Sequence, residues 1–292
     1  MKELVIISGK GGTGKTSIVG AFAALARRQV LCDADVDAAD LHLLLSPTVV
    51  ERHDFRAGHK ASIDPERCTQ CGDCLERCRF GAISPDLVVD PLQCEGCGVC
   101  HHFCPAGAID FPESLCGEWY FSQTRFGPLV HARLGIAEEN SGKLVSLVRK
   151  EARRMGEENH ADWLLTDGPP GIGCPVIASI GGASAVLIVS EPTVSGLHDL
   201  NRVGELARHF QVPALVCVNK ADLHWDGARQ IDAHCRSAGY AFMGYLPFDA
   251  DFTRAQVEEK TIIEYNQGPA RDAVVALWEK VVRALQASDV GV

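Results

Sequence analysis

An α/β fold is predicted, with a mostly parallel, doubly wound sheet and a small α+β module inserted into it. Three observations predict it. Short apolar runs recur at lengths suited to strands buried on both faces: Leu4-Val5-Ile6-Ile7, Val30-Leu31-Cys32, Trp163-Leu164-Leu165-Thr166, 185–190, 214–218 and 242–246. The first run passes directly into a glycine-rich loop and then a helix-length segment, 15–28. A cysteine-dense tract with an internal repeat, 61–111, interrupts the alternation. The expected organisation is therefore a first domain part at 1–60, the insert at 61–111 and a second domain part at 112–292.

The glycine-rich loop reads Gly9-Lys10-Gly11-Gly12-Thr13-Gly14-Lys15-Thr16 and matches G-x-x-x-x-G-K-[ST] in its required strand–loop–helix setting. Glycines let consecutive N–H groups turn inward toward a phosphate, and the helix that follows adds the positive end of its dipole. Lys15 is expected to reach the β- and γ-phosphates and the Thr16 hydroxyl to ligate Mg²⁺. The whole stretch through Ser17 is a candidate nucleotide-binding segment.

Composition bounds the rest. With 292 residues, 46% hydrophobic and 23% charged, the chain suits one large α/β domain or two smaller ones. A formal net charge of −10 argues against a general nucleic-acid binder. No apolar run approaches the roughly 18–20 residues of a membrane helix. Met1-Lys2-Glu3 leads straight into the first strand, so no signal peptide and a cytoplasmic location are expected. Thirteen cysteines are then expected to serve mostly as metal ligands rather than disulfides, because cytosolic thiols stay reduced.

Eight of them form two runs, Cys68-x-x-Cys71-x-x-Cys74-x-x-x-Cys78 and Cys94-x-x-Cys97-x-x-Cys100-x-x-x-Cys104-Pro105. Each has the spacing of bacterial ferredoxins, and the tandem implies two [4Fe–4S] clusters. The fourth cysteine of each run crosses to the other cluster. One cluster is thus assigned Cys68, Cys71, Cys74 and Cys104, and the other Cys94, Cys97, Cys100 and Cys78. Zinc is the alternative that C-x-x-C pairs allow. Arg79 stands where ferredoxins usually carry proline. His53, His59, His101 and His102 read as surface residues, and Cys32, Cys217 and Cys235 as core.

Lys10 makes the phosphate loop K-G-G-x-G-K-[ST], and in this the chain resembles the MinD/Mrp/ParA family of P-loop ATPases, which includes the nitrogenase iron protein. The resemblance implies a P-loop NTPase sheet and a nucleotide-dependent homodimer, with Lys10 reaching the partner's nucleotide. Asp33-Ala34-Asp35 corresponds to the family's switch I: Asp35 would orient the attacking water and Asp33 would lie near Mg²⁺, while Asp37 and Asp40 read as capping or solvated. Asp167-Gly168-Pro169-Pro170-Gly171 corresponds to switch II, with Asp167 holding Mg²⁺ through water and Gly171 offering an N–H to the γ-phosphate. Asn219-Lys220-Ala221-Asp222 is an N-K-x-D sequence; it leaves the base open between adenine and guanine, with ATP favoured by the variant loop. Pro247-Phe248-Asp249 matches the loop that walls the base. Cys174, with Cys116, is a candidate for a subunit-bridging cluster. The stretch 124–141 is open between a role in coupling the insert to switch II and a capped surface helix beginning near Ser141, and Glu191-Pro192-Thr193, with His198 and Asp199, is a candidate lining of the nucleotide interface. An amphipathic helix, expected to pack rather than anchor, ends the reading at 269–286.

Three functions follow from such a chain. The first is an ATPase coupled to electron transfer through two clusters, with a redox protein as partner. The second is a carrier or assembly factor for iron–sulfur or related cofactors. The third is a positioning switch with structural clusters, which predicts salt-sensitive membrane or DNA association.

Overall fold

The computed structural model of the chain describes residues 1–135 and 140–287. Contacts divide it into two compact units, one comprising Met1–His53, Trp119–Arg133 and Ser141–Val292, the other Asp54–Glu118 and Leu134–Asn140. The cysteine tract 61–111 falls within the second unit.

The first unit begins with β1 (Lys2–Ser8), α1 (Lys15–Leu25), β2 (Gln29–Asp33) and α2 (Leu41–Leu45). Strand β3 (Thr48–His59) passes into the second unit, which holds β4 (Ser62–Ile63), α3 (Asp73–Arg77), α4 (Val99–Phe103) and β5 (Ile109–Asp110). Strands β6 (Glu113–Thr124) and β7 (Gly127–Leu134) return the chain. Then follow α5 (Ser141–Glu158), β8 (Trp163–Pro170), α6 (Cys174–Ile180), β9 (Ala185–Ser190), α7 (Val194–His209) and β10 (Ala214–Val218). The chain closes with α8 (Trp225–Ala238), β11 (Ala241–Tyr245), α9 (Asp251–Val257), α10 (Ile262–Tyr265) and α11 (Pro269–Ala287).

Nine strands form one sheet in the order β11-β10-β9-β1-β8-β2-β7-β6-β3. β1 runs parallel to both neighbours, and the parallel set extends from β11 to β7. Alternate residues of β1 face opposite sides, as strand geometry requires. Leu4 and Ile6 join a core with Phe22 of α1 and Trp278 of α11, whereas Val5 and Ile7 join one with Val176 of α6 and Leu200 of α7. This is why the first apolar run is unbroken rather than alternating.

α5 starts at Ser141, as its capping pattern suggests, and is tied to β1 by charge. Arg149, 4% exposed, donates to Glu3 Oε1 at 2.6 Å, and Arg153 pairs with Glu3 Oε2 at 2.6 Å. α1 is shorter than the expected 15–28: it stops at Leu25, because Ala26 is extended (ψ 164°) and Arg28 turns to φ 50°. The 124–133 stretch is a strand turn and β7. Thr124 Oγ1 accepts from the Phe126 N–H, and Arg125 grips Glu264 together with the Leu44, Leu45 and Glu259 carbonyls. Glu138 and Glu139 lie outside the described residues. Among the described residues no helix is long and apolar enough to cross a membrane.

The second unit repeats itself. α3 and α4 each follow a left-handed glycine, Gly72 (φ 77°) and Gly98 (φ 71°), and each ends on an extended cysteine, Cys78 and Cys104. The chain then turns at Gly81 (φ 64°) or Gly107 (φ 58°) into the buried pairs Ala82-Ile83 and Ala108-Ile109.

Candidate nucleotide site and cysteine sites

The loop after β1 opens on a cavity of about 410 Å³ at the C-terminal ends of the parallel strands, where open α/β sheets bind ligands. Gly11, Gly12, Gly14, Lys15, Thr16, Ser17, Asp35, Asn219, Lys220, Pro247 and Phe248 all line it. Two glycines have steric reasons. A side chain at Gly9 would lie 2.1 Å from the Cβ of Asp199 on α7, and one at Gly14 (φ 92°) would lie 2.5 Å from Asn219 Nδ2.

Asn219 is mostly occupied with the loop itself. Its Nδ2 donates to the Thr13 carbonyl at 2.8 Å and its Oδ1 accepts from the Lys220 N–H at 3.0 Å. Asp222 accepts from the Phe248 N–H at 2.6 Å, so its carboxylate fastens the Pro247-Phe248 loop. Lys220, at φ 56°, donates to the Gly12 carbonyl and pairs with Glu191. Gly9, Lys10 and Thr13 lie beside a small hollow on the Glu191 and Asp199 side of the loop. Lys10 Nζ is 2.7 Å from Glu191 Oε2.

Four carboxylates converge on the phosphate end. Thr16 Oγ1 donates to Asp167 Oδ2 at 2.6 Å, while Asp167 Oδ1 is buried without a partner. Lys15, 6% exposed, lies 3.9 Å from Asp35. Asp33 is fully buried, accepting from the Asp35 and Leu41 N–H groups at 3.1 Å each, and so it shapes the segment that carries Asp35. Burial pushes the Asp167 carboxyl well up, opposed by Thr16 and Lys15 and assisted by Asp35 and Asp40. Burial also lifts Asp35 to about 6, opposed by Lys15 and assisted by Asp37 and Asp40. Asp33 is raised well above the carboxylate range by burial and then by Asp167. One lysine does not balance this charge. An unsatisfied carboxylate oxygen beside a hydroxyl fits Mg²⁺, which takes one or two protein oxygens plus phosphates and waters.

Sequence reading passed over part of the wall. Asp40 faces the cavity rather than merely capping, and Phe252, Thr253 and Gln256 of α9 close it, with Gln256 donating to Ser17 Oγ at 3.0 Å. The i, i+1, i+4 face of a helix directly after the base loop was the available signal. The Gly171 N–H donates to the Ser8 carbonyl at 2.8 Å.

In the second unit, Cys68, Cys71, Cys74 and Cys104 line one small cavity, walled otherwise by Ile63, Leu87, Pro105, Ala108 and Ile109. The Gln70 N–H donates to Cys68 Sγ at 3.4 Å and the Ala108 N–H to Cys104 Sγ at 3.3 Å. Four thiols in an apolar pocket with amide donors to sulfur is a donor set that suits an iron–sulfur cluster. Cys94, Cys97 and Cys100 are neighbours: burial raises the Cys100 thiol, and Cys94 and Cys97 raise it further. Cys78 is half-buried at the end of α3. Among the described residues no group of three or more His, Cys, Asp or Glu side chains is placed to hold a single metal ion. His59 and His101 stack on Phe111, and His53 stacks on Trp119. Cys116 is buried and donates to the Ala57 carbonyl, while Cys174 is exposed at the first position of α6. Cys32, Cys217 and Cys235 are buried core residues.

Residues 4–262 match the family model described as the CobQ/CobB/MinD/ParA nucleotide binding domain. An uncharacterized protein of Methanocaldococcus jannaschii is 31% identical over 286 residues, 96% of each chain. An iron-sulfur cluster carrier protein of Pyrococcus horikoshii is 25% identical over 159 residues, 50% of this chain and 53% of that protein. The septum site-determining protein MinD of Pyrococcus horikoshii, solved with Mg-ADP, has the same fold: TM-score 0.61 at 17% identity, covering 97% of this chain and 96% of that one. With the phosphate loop, its cavity and this match spanning most of its length, the chain belongs to the CobQ/CobB/MinD/ParA nucleotide-binding family and is a P-loop ATPase.

Proposed function

We propose that this ATPase works as a homodimer closed across the nucleotide site, coupling ATP binding and hydrolysis to electron transfer through two [4Fe–4S] clusters in its second unit. The observation that carries the iron–sulfur half is the shared cavity of Cys68, Cys71, Cys74 and Cys104, because Cys104 joins the other three from the far end of the repeat. When bound, the clusters would supply one-electron transfer to and from a redox partner protein.

The chain's own residues divide the nucleotide work. Lys15 and the start of α1 hold the β- and γ-phosphates. Thr16 and Asp167 hold Mg²⁺, and Asp35 orients the attacking water. Lys10 reaches the nucleotide of the partner subunit. Asn219 fixes the loop from behind while Pro247 and Phe248 wall the base. Asp222 takes the Phe248 N–H on Oδ1 and so holds the base loop, while adenine is favoured over guanine by the variant phosphate loop. Presenting the Gly171 N–H to a γ-phosphate requires its bond to Ser8 to open, which makes switch II responsive to nucleotide state.

The test is anaerobic EPR of the dithionite-reduced protein with and without MgATP, with iron counted. Two reducible [4Fe–4S] signals that change line shape or potential with MgATP are expected. Clusters indifferent to nucleotide reject the coupling. A second reading, a carrier of iron–sulfur or related cofactors, is favoured by the Pyrococcus relative named as a cluster carrier. It predicts that a cluster leaves for an apo-acceptor during turnover, whereas a relay keeps both.

A further inference from the structure

Glu191, the first residue after β9, holds two lysines at once. Its Oε2 is 2.7 Å from Lys10 Nζ and its Oε1 is 2.6 Å from Lys220 Nζ. Only 14% of its side chain is exposed, against 38% for Lys10. The two lysines hold its carboxyl below the usual range, against the opposing effect of burial. The backbone of Glu191 is held as well. Pro192 follows it, the Thr193 N–H donates to its carbonyl, and a side chain at Gly196 would lie 2.2 Å from that carbonyl oxygen.

We propose that Glu191 is a positioning residue that parks Lys10 in its own subunit until two nucleotide-loaded protomers meet. This rests on the dimer reading given above, in which Lys10 acts across the interface. Lys10 cannot serve the partner's nucleotide while its ammonium is held by Glu191, so closure has to break that pair. Lys220 makes the break cheap. It stays on the other carboxylate oxygen and on the Gly12 carbonyl at 3.1 Å, so neither the carboxylate nor the phosphate loop is left unpaired. The released lysine exchanges one anionic partner for another, and the protein closes only where phosphate replaces carboxylate.

The arithmetic is set by symmetry. A partly exposed ion pair biases Lys10 toward the parked position by about threefold. Both protomers must release, so the bias enters the dimer equilibrium twice and weakens it about tenfold.

The experiment uses the full chain with Mg²⁺ and the non-hydrolysable analogue AMPPNP, in sedimentation velocity across protein concentration. Glu191→Gln is expected to dimerise at about tenfold lower dissociation constant than the unmodified protein. Lys10→Ala, alone or with Glu191→Gln, is expected to stay monomeric, which shows that the gain runs through Lys10. In parallel, acylation of Lys10 in nucleotide-free protein, read by peptide mass spectrometry, is expected to rise severalfold in Glu191→Gln. Dimerisation of the unmodified protein with no gain in Glu191→Gln overturns the parking role and leaves the dimer standing. A protein that stays monomeric with AMPPNP, yet shows faster acylation in Glu191→Gln, overturns the dimer reading and the parking role with it. Unchanged acylation overturns the ion pair itself. Should Glu191→Gln not fold, Glu191→Asp shortens the reach to Lys10 and is held to the same outcomes.

Discussion

The two units are stabilised by different means. The nucleotide unit has a sheet buried on both faces, with Phe22, Trp278 and Leu165 among the core side chains on one side and Val176, Leu200 and Ile231 among those on the other. The cysteine-bearing unit buries little more than Phe55, Ala57, Ala61, Ala82, Ile83, Ala108, Ile109 and Cys116, while α3 and α4 bury nothing fully. Phe80, Val88, Leu92 and Phe103 remain exposed on it. A unit of that size with so small a core needs covalent or metal cross-links to stay folded. Its eight tandem cysteines are the groups in it that could supply such cross-links.

The largest effect should follow from removing iron. Chelation under anaerobic conditions is expected to abolish amide-exchange protection throughout Asp54–Glu118 while the protein still binds ATP. Retained protection in the iron-free unit would erase the contrast. Next in size, Arg149→Met leaves Glu3 buried with only the half-exposed Arg153. It should cost the nucleotide unit about 3–5 kcal/mol, measured by denaturant melting, with iron content unchanged. Lys15→Ala should lower the ATPase rate about 100-fold or more, because a preorganised charge at the transferring phosphate is lost, with the cluster signals in EPR unaltered.

The smallest effect concerns His131, buried beside Ser122 (2.8 Å) and stacked against Tyr120 and His42. Burial, then His42, pushes it down to about 4. A histidine whose folded value is depressed binds its proton more readily when unfolded. Stability is therefore full above about pH 6.5 and declines as pH falls toward 4, by about 2 kcal/mol at pH 5. His131→Gln should flatten that acid limb of the melting curve, and an unchanged slope would assign the loss elsewhere.

What the sequence discloses differs between these regions for a physical reason. The phosphate loop, the parallel strands and the tandem cysteines are local patterns, each residue type fixed by its immediate neighbours. Strand β3 was not anticipated. It lies at the sheet's edge, and its first half, Val49 and Val50 included, is exposed, so only Phe55 and Ala57 mark a buried face. The pairing of Lys10 with Glu191 and of Asn219 with Thr13 likewise joins distant parts of the chain, which no spacing rule encodes. Arg125 read as a polar residue of unassigned role and proves to be a clamp on α10, for the same reason.

The Asn219 amide has a consequence for how ligands add up. One side chain joins the end of β10 to the Thr13 carbonyl of the phosphate loop, so ordering one end of the cavity helps order the other as a single body. Adenosine and pyrophosphate, bound as separate fragments, would each bear the cost of ordering that body. ATP bears it once. The intact nucleotide should therefore bind more tightly than its fragments jointly imply, and that surplus should shrink when Asn219 is replaced by alanine.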